Sequence, residues 1–200
     1  MAIKAPYLPY EKLREVASDF LGKYNSDGMI PVPIEKIVEY DFGIDIVPTP
    51  GLHENFDIDS YPTSDLSEFH VDEFFYHSRE RRYRFSLAHE LAHVLVHRDI
   101  FTQLSFRNIS EWKQVVQSIP ADQYSWIETQ AYSLAGLILV PVGVLDERLE
   151  EVIATARAAG IDLRNASDIG REAAEGHLAT IFNVSRDVIQ RRIKKDKLWD

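Results

Sequence analysis

The 200-residue chain contains no cysteine, which excludes disulfide bonds and thiolate metal ligands. Any zinc site must therefore be built from histidine and carboxylate side chains. The longest apolar run, residues 134–145, is 12 residues long and contains a proline, which makes it too short to span a bilayer. The first residues lack the apolar core of a signal peptide. We therefore expect a soluble, cytoplasmic protein that has no membrane partner.

Basic residues are in the minority: 22 Lys and Arg residues against 32 Asp and Glu residues give a net charge of −10. Because DNA is a polyanion, this balance argues against a general nucleic-acid binder. The charge is unevenly placed, however. Residues 37–78 hold ten acids and no Lys or Arg, four arginines follow within residues 79–84, and residues 186–197 carry six bases. A solvated face is the usual reason for such asymmetry, although it also occurs where different surfaces meet different partners.

The apolar periodicity predicts an α+β protein with a small mixed sheet in its first half and helices behind it. In the first half we expect a helix over 10–24, a short helix between Pro33 and Gly43, strands over 44–47 and 69–77, and a loop over 48–67. In the second half we expect one helix that Ser78 caps and that ends near His97, followed by helices over 124–140 and 145–159. We expect two more helices within 167–196, and Ser185 should cap the last of them. Residues 101–123 show no clear pattern.

One motif carries chemistry, His89-Glu90-x-x-His93, within the helix that ends near His97. Two histidines four residues apart lie on one helix face and one turn apart, so both imidazoles can reach the same ion. Glu90 then lies beside the ion, where a carboxylate can act as a general base toward a water molecule. The motif predicts a metal-dependent hydrolase.

The apolar stripe of this helix, which includes Leu87 and Leu91, lies opposite His89 and His93. Two interpretations stay open for histidines on that face. They are simply solvated, as most such pairs are, or they line a wet catalytic cleft that neighbouring apolar residues such as Phe85 partly enclose. The absence of cysteine favours the cleft, since catalytic zinc sites use three His or acidic ligands and keep one position for water.

A third protein ligand is expected on the helix predicted after Tyr124. Glu128 shares a face with Ala131 and Ala135, and an inward-facing carboxylate requires a cationic partner. Alternatively, Glu128 is a first-turn acid that interacts with the helix dipole. Given the histidine pair, we favour Glu128 as the third ligand, and the small alanines would let the two helices pack closely.

The remaining histidines are weaker candidates. His97 lies two helical turns from His89, about 12 Å along the helix axis, so one ion cannot bind both. We expect His97 behind the site or on the surface. His70 and His77 lie in the predicted strand and are weaker still.

Two segments in this order, RYRFSLAHELAH (82–93) and ETQAYSLAGLILVP (128–141), resemble the ImmA/IrrE family of zinc metallopeptidases. The resemblance extends through most of the chain, including PVPIEKIVEYDFGIDIVP (31–48) and HLATIFNVSRDVIQRRI (177–193). The chain departs from the family pattern at three positions. Ala92 stands where glycine is common, and Tyr132 and Leu134 replace the usual Asn and Phe, so local packing differs.

The resemblance implies a zincin-like fold that holds one Zn²⁺ per chain through His89, His93 and Glu128, with Glu90 as the catalytic acid/base. Described members of the family cleave DNA-binding repressors and thereby relieve repression of stress or mobile-element genes. We therefore expect a zinc-dependent endopeptidase whose partner is a protein substrate, a transcriptional repressor. An extended substrate could pair with the strand near Phe69–Phe75.

Three residues stay open as candidates for the group that stabilises the oxyanion, namely Arg82, Tyr83 and His97.

We expect a metallopeptidase domain over residues 1–165 and a C-terminal helical hairpin over 166–200 packed on it. The hairpin has the rhythm of a helix-turn-helix, but about five phosphate contacts on a chain of net charge −10 give only modest affinity. We therefore expect no sequence-specific nucleic-acid binding. Two other functions stay open, a non-catalytic metal-binding regulator and a toxin–antitoxin or DNA-binding module that uses the basic tail.

Overall fold

The computed structural model describes residues 3–165 and 168–199, and within them the chain has the expected α+β architecture. The elements of the first half are α1 (Tyr10–Tyr24), α2 (Ile34–Lys36, continued by a π-helical turn over Ile37–Asp41), β1 (Asp45–Thr49), α3 (Leu52–Phe56), β2 (Ser60–Pro62), β3 (Glu68–Asp72) and α4 (Glu73–Ser78). Those of the second half are α5 (Glu80–Val96), α6 (Arg98–Phe101), α7 (Ile109–Ser118), α8 (Ala121–Leu139), α9 (Val142–Ala158), α10 (Asp168–Ile181) and α11 (Arg186–Asp196).

The sheet is small and mixed, with the strand order β1-β3-β2; β3 runs parallel to β1 and antiparallel to β2. Both edges of β3 are therefore already paired. The expectation that the strand near Phe69–Phe75 pairs with a substrate is wrong for this reason, because its backbone groups already bond to β1 and β2. The strand also ends earlier than expected, since the Asp72 carboxylate accepts a hydrogen bond from the Phe75 amide and caps α4.

Several predicted boundaries are also wrong. The stretch 48–67, expected as a loop, contains α3 and β2. Ser78 is the last residue of α4 rather than the cap of α5, which begins at Glu80. The helices expected to begin at residues 124 and 145 begin three residues earlier, because Pro120 and Pro141 directly precede their first turns.

The core is built around α5 and α8, which pack against each other, with α1 on a further face of α8. Leu87 and Leu91 of α5 are completely buried, as are Ala131 and Ala135 of α8. The two alanines present almost no side-chain bulk, so α8 lies close to α5 along the face that carries Glu128. This contact positions the candidate site.

The C-terminal helices α10 and α11 join the same hydrophobic core through Phe182, Ile189 and Ile193. Ser185 caps α11 as predicted, by accepting a hydrogen bond from the amide of Val188. Arg192 is 4% exposed, and its guanidinium donates to the Gly136 carbonyl at 2.9 Å, to the Val140 carbonyl and to the Asp196 carboxylate. These bonds attach α11 to the C-terminal turn of α8. The expected domain boundary falls beside residues 166 and 167, which lie outside the described residues.

No single helix among the described residues has the length and hydropathy needed to cross a bilayer. α8 and α9 have the required length and hydropathy only when they are taken together, and the two helices meet at a bend of 60°.

Candidate metal centre

Three side chains from α5 and α8 converge at one point. His89 and His93 lie one turn apart on α5, with their Nε2 atoms 3.0 Å apart. Glu128 of α8 faces both of them, with 3.2 Å from its Oε2 to His89 Nε2 and 3.6 Å from its Oε1 to His93 Nε2. One ligand atom from each residue lies within 4.8 Å of the others. The structure therefore brings together all three ligands expected from the sequence.

The donor set fits a tetrahedral zinc ion. Bonds of about 2.0–2.1 Å place the ligand atoms of such an ion about 3.3 Å apart, and the contacts of 3.0, 3.2 and 3.6 Å between these three residues bracket that value. Two imidazoles and one carboxylate form a three-ligand set that keeps a fourth position for water. These residues could hold one ion without rearrangement of the backbone.

The face of α5 that carries His89 and His93 is largely enclosed, which does not agree with the interpretation that the two histidines are simply solvated. His93 is 2% exposed, and its ring lies 4.8 Å, centroid to centroid, from Phe101. The His89 ring makes an edge contact with Tyr132 at 5.0 Å. The interpretation of a simply solvated pair is therefore wrong. Because α8 covers the face opposite the apolar stripe, α5 is buried on both sides.

Glu90 lies beside the three converging side chains, in the wall of the same cavity. It is 4% exposed, and the Ser60 hydroxyl on β2 donates a hydrogen bond of 2.6 Å to its Oε1. Burial raises the pKa of Glu90 to about 7, although the nearby His89 and the bond from Ser60 both act to lower it. A carboxylate with a pKa near neutrality exchanges protons efficiently in both directions at physiological pH.

A chain of hydrogen bonds behind His93 fixes which of its nitrogens carries a proton. The Gln130 Nε2 donates to the Pro6 carbonyl at 2.8 Å, so its Oε1 must face His97 Nε2, also at 2.8 Å. His97 Nε2 is then the donor, and His97 Nδ1 must accept from His93 Nδ1 at 3.1 Å. The His93 Nε2 lone pair is thereby directed at Glu128 and His89. His97 lies behind the site, one of the two positions expected for it.

The pKa values of the three histidines are shifted in different directions. Burial lowers the pKa of His93 well below its usual value, with the charges of His89 and His97 adding to the effect, and burial also lowers the pKa of His97. Both rings are therefore neutral at pH 7. Burial acts to lower the pKa of His89 too, but the hydrogen bond to Glu128 and the charges of Glu90 and Glu128 outweigh it, and the net pKa is raised.

A cavity of about 310 Å³ opens at the converging side chains. Its wall includes His89, Glu90 and Glu128 together with apolar residues, among them Phe101 and Leu104. A polypeptide in this cavity would have an apolar side chain held next to the three potential ligands.

Of the three residues proposed from the sequence to stabilise the oxyanion, Arg82 lines this cavity, whereas Tyr83 and His97 are not among its lining residues. The Arg82 guanidinium makes two hydrogen bonds to Asp59, at 2.6 and 2.8 Å, and the His97 ring is bonded to His93 and Gln130. Tyr83 is 8% exposed and lines neither described cavity at the site.

Two tyrosines stand at the site instead. Tyr124 and Tyr132 line the cavity beside Glu128, and burial raises the pKa of both. Both hydroxyls are therefore protonated at pH 7 and can donate a hydrogen bond. Neither tyrosine was a candidate from the sequence.

His70 and His77 are not part of the site. His70 Nδ1 lies 2.8 Å from the Thr49 hydroxyl, and its ring stacks on Tyr61, whereas His77 is exposed near the end of α4. Ser60 and Gln130 were not predicted from the sequence. A polar glutamine on the inward face of α8 was an available signal, but nothing local marked Ser60, because its contact with Glu90 is made across 30 residues.

Comparison with known proteins agrees with this geometry. The family model Peptidase_M78, IrrE N-terminal-like domain, matches residues 41–194. Among solved structures the chain is similar to a Mycobacterium tuberculosis transcriptional regulator, with a TM-score of 0.54 and 15% sequence identity. The similar region covers 93% of this chain and 52% of that one, so the chain spans about half the length of that protein, and the likeness shows the fold alone. No curated protein matches the chain significantly.

The family match confirms the predicted relationship and the zincin-like α+β fold, and it supports a metallopeptidase. The family implies a metal ion, and the converging histidines and glutamate could hold one. With about three quarters of its length matched, the chain belongs to the Peptidase_M78 family of IrrE N-terminal-like domains.

Proposed function

We propose that this chain is a zinc-dependent endopeptidase in which His89, His93 and Glu128 hold one Zn²⁺ and Glu90 is the catalytic acid/base. The observation that carries the proposal is the convergence of the two Nε2 atoms and the Glu128 carboxylate at 3.0–3.6 Å, with a buried Glu90 beside them. When bound, the zinc ion supplies a Lewis acid that activates water and polarises the scissile carbonyl.

The residues of this chain then manage the protons. Glu90 removes a proton from the water molecule while the water oxygen attacks the carbonyl carbon. The same carboxyl group delivers that proton to the peptide nitrogen, so the C–N bond breaks and a neutral amine leaves. General acid–base catalysis of this kind typically contributes 10²–10⁴-fold to the rate. Ser60 keeps the Glu90 side chain oriented while the proton is exchanged.

An extended substrate would pair with β2 rather than with the buried β3. β2 is an edge strand, and among the described residues it pairs on one side only. It also carries Ser60, which contacts Glu90, so a chain added to its open edge would run past the catalytic carboxylate.

The substrate that we propose is a DNA-binding transcriptional repressor, encountered in the cytoplasm. The resemblance of residues 82–93 and 128–141 to repressor-cleaving ImmA/IrrE peptidases supports this substrate. The solved structure described as a transcriptional regulator supports a regulatory setting and nothing narrower.

Two substitutions test the proposal. Glu90→Gln keeps the shape of the side chain but removes the base, so the variant should retain about one zinc ion per chain and lose cleavage of a repressor encoded by a neighbouring gene. Glu128→Ala should lose most of the zinc, whereas Glu147→Ala, on the exposed face of α9, should lose none. Full cleavage by Glu90→Gln, or full zinc content in Glu128→Ala, would refute the assigned roles. Zinc binding without cleavage by the wild type would favour a non-catalytic regulator.

A further inference from the structure

A larger groove of about 1250 Å³ extends from the candidate metal centre to the C-terminal helices. Its wall includes Glu128 and Tyr132 of α8 together with Ser185, Val188 and Arg191 from the C-terminal segment. The first turns of α5 and the exposed face of α8 form its walls. A polypeptide with its scissile bond at the metal centre would therefore continue along this groove toward α11.

The groove is rich in basic residues, although the chain as a whole is acidic. Six basic side chains line it, namely Arg79, Arg81, Arg82, Arg191, Arg192 and Lys195. Three of these have carboxylate partners: Arg82 pairs with Asp59, Arg191 with Asp187 and Arg192 with Asp196. Those three do not offer a full positive charge to a ligand.

The other three, Arg79, Arg81 and Lys195, form no ion pair with any described residue, and all three are exposed. Arg81 donates a hydrogen bond to the Thr180 hydroxyl, while Arg79 and Lys195 lie over aromatic rings. These neutral contacts hold the side chains in place without cancelling their charge.

The acidic residues of the groove are mostly occupied. Asp59 and Asp187 pair with arginines, and Glu128 faces the two histidines. Glu80 accepts a hydrogen bond from the Asn183 amide and is the one lining acid that has no basic partner among the described residues. Three uncompensated cations thus face Glu80 and, when no metal ion is bound, Glu128, on a protein whose net charge is −10.

We propose that this groove binds an acidic segment of the protein substrate, a few residues from the scissile bond. This proposal rests on the proposed peptidase function and names the class of sequence that the site selects. The acidic remainder of the surface repels such a segment, so the groove is where it is held with least repulsion. Phe85, Tyr132 and Val188 add apolar surface, which suits a peptide of mixed acidic and apolar residues better than a nucleic acid.

A binding assay that needs no cleavage tests this proposal. The full chain with Glu90→Gln is titrated into three fluorescein-labelled peptides of equal length, in which leucine alternates with glutamate, glutamine or lysine, and into a labelled DNA duplex. Fluorescence anisotropy reports binding. We expect the glutamate peptide to bind most tightly, and its affinity to fall as the salt concentration rises.

Two triple variants locate the binding. Arg79→Gln, Arg81→Gln and Lys195→Gln together should weaken binding of the glutamate peptide about tenfold, because each exposed charge contact is worth a factor of about two to three. The control removes the same charge away from the groove, at the exposed residues Lys36, Arg98 and Arg157, each changed to Gln. The control should bind the glutamate peptide within about twofold of the parent.

Three outcomes would overturn the proposal: equal binding of the glutamate and glutamine peptides, equal losses in the two triple variants, or tighter binding of the DNA. Absence of binding to every peptide would overturn it as well. None of these results depends on cleavage, so the proposed peptidase activity is judged separately by the zinc and cleavage measurements on Glu90→Gln.

Discussion

His97 is hydrogen-bonded to His93 through their Nδ1 atoms, 3.1 Å apart, and both rings are almost completely buried. The bond explains why a histidine that is too far from His89 to share its ion still matters to the site. His97 orients the His93 ring, and Gln130 in turn determines which nitrogen of His97 carries the proton. Partners of this kind raise the basicity of a ligand and reduce the freedom of its ring.

Gln130→Leu should therefore weaken zinc binding without touching a ligand. The substitution removes the acceptor for His97 Nε2, so the tautomer of both histidines is no longer fixed, and the zinc affinity should fall about 10–100-fold. Competition with a chromophoric chelator measures the affinity. Gln117→Leu, on an exposed position of α7, is the matched control and should keep the parent value.

A second variant separates this effect from misfolding. Gln130→Glu keeps an acceptor for His97 but loses the donor to Pro6, so it should recover most of the zinc affinity. Zinc affinity unchanged in a folded Gln130→Leu would show that the hydrogen-bonded chain behind His93 has no influence on the site.

Zinc binding should be strongly pH-dependent. Imidazole must be neutral to bind a metal, and the pKa of His89 is raised by its bond to Glu128 in spite of its burial. Because the pKa of His89 is raised above the ordinary histidine value of about 6.5, protons compete with zinc for His89 already above that pH, and zinc occupancy should drop as the pH falls. Calorimetry in buffers of different ionisation enthalpy should also show release of protons on binding at pH 7. Constant occupancy between pH 5 and pH 8 would contradict a site dominated by histidine.

Ser60→Ala should move the pH profile of cleavage. Burial raises the pKa of Glu90 to about 7, and the hydrogen bond from Ser60 acts in the opposite direction. Without that bond the pKa rises further, a larger fraction of Glu90 is protonated at neutral pH, and the acidic limb of kcat/KM shifts to higher pH. Ser64→Ala, in the following loop, is the control. An unshifted limb accompanied by a uniform loss of rate would instead indicate that Ser60 acts by position alone.

Much of the site was predictable because its central part is local in sequence. His89, Glu90 and His93 lie within one helical turn, so the periodicity of α5 alone places them together. Glu128 required a second helix, and its inward face was visible in the spacing of Ala131 and Ala135.

Contacts between distant segments were not predictable in this way. Ser60 reaches Glu90 from a strand of three residues, and Gln130 reaches Pro6 across 124 positions. The enclosure of His93 likewise depends on how α8 packs onto α5. In the sheet, residues 73–77 were expected to continue the strand, whereas the strand ends at Asp72, whose side chain caps α4.

The last prediction concerns α11, because the function of its basic residues depends on whether this helix packs on the core. Arg192 is 4% exposed and bonds to two backbone carbonyls of α8 and to Asp196, whose side chain is 2% exposed. Arg191, its neighbour, is exposed, and Asp187 is its one ion-pair partner among the described residues. If α11 packs on the core, Arg192 stabilises the fold and Arg191 does not. If α11 binds DNA instead, both arginines would contact phosphates.

Arg192→Met should destabilise the protein by about 3 kcal/mol, because the buried Asp196 carboxylate loses its closest cation and keeps, among the described residues, the Tyr10 hydroxyl at 3.0 Å and Arg14 at 3.6 Å. For a chain of this size the melting temperature should fall by about 10 °C. Arg191→Met should cost less than about 1 kcal/mol, as exposed pairs do. Thermal melts followed by circular dichroism compare the two variants. Deletion of residues 177–200 should be still more destabilising, since it removes Phe182, Ile189 and Ile193 from the core. Equal melting temperatures for Arg192→Met and Arg191→Met would mean that α11 does not dock in solution, and nanomolar preference for one DNA sequence at physiological salt would identify the tail as a DNA-binding element.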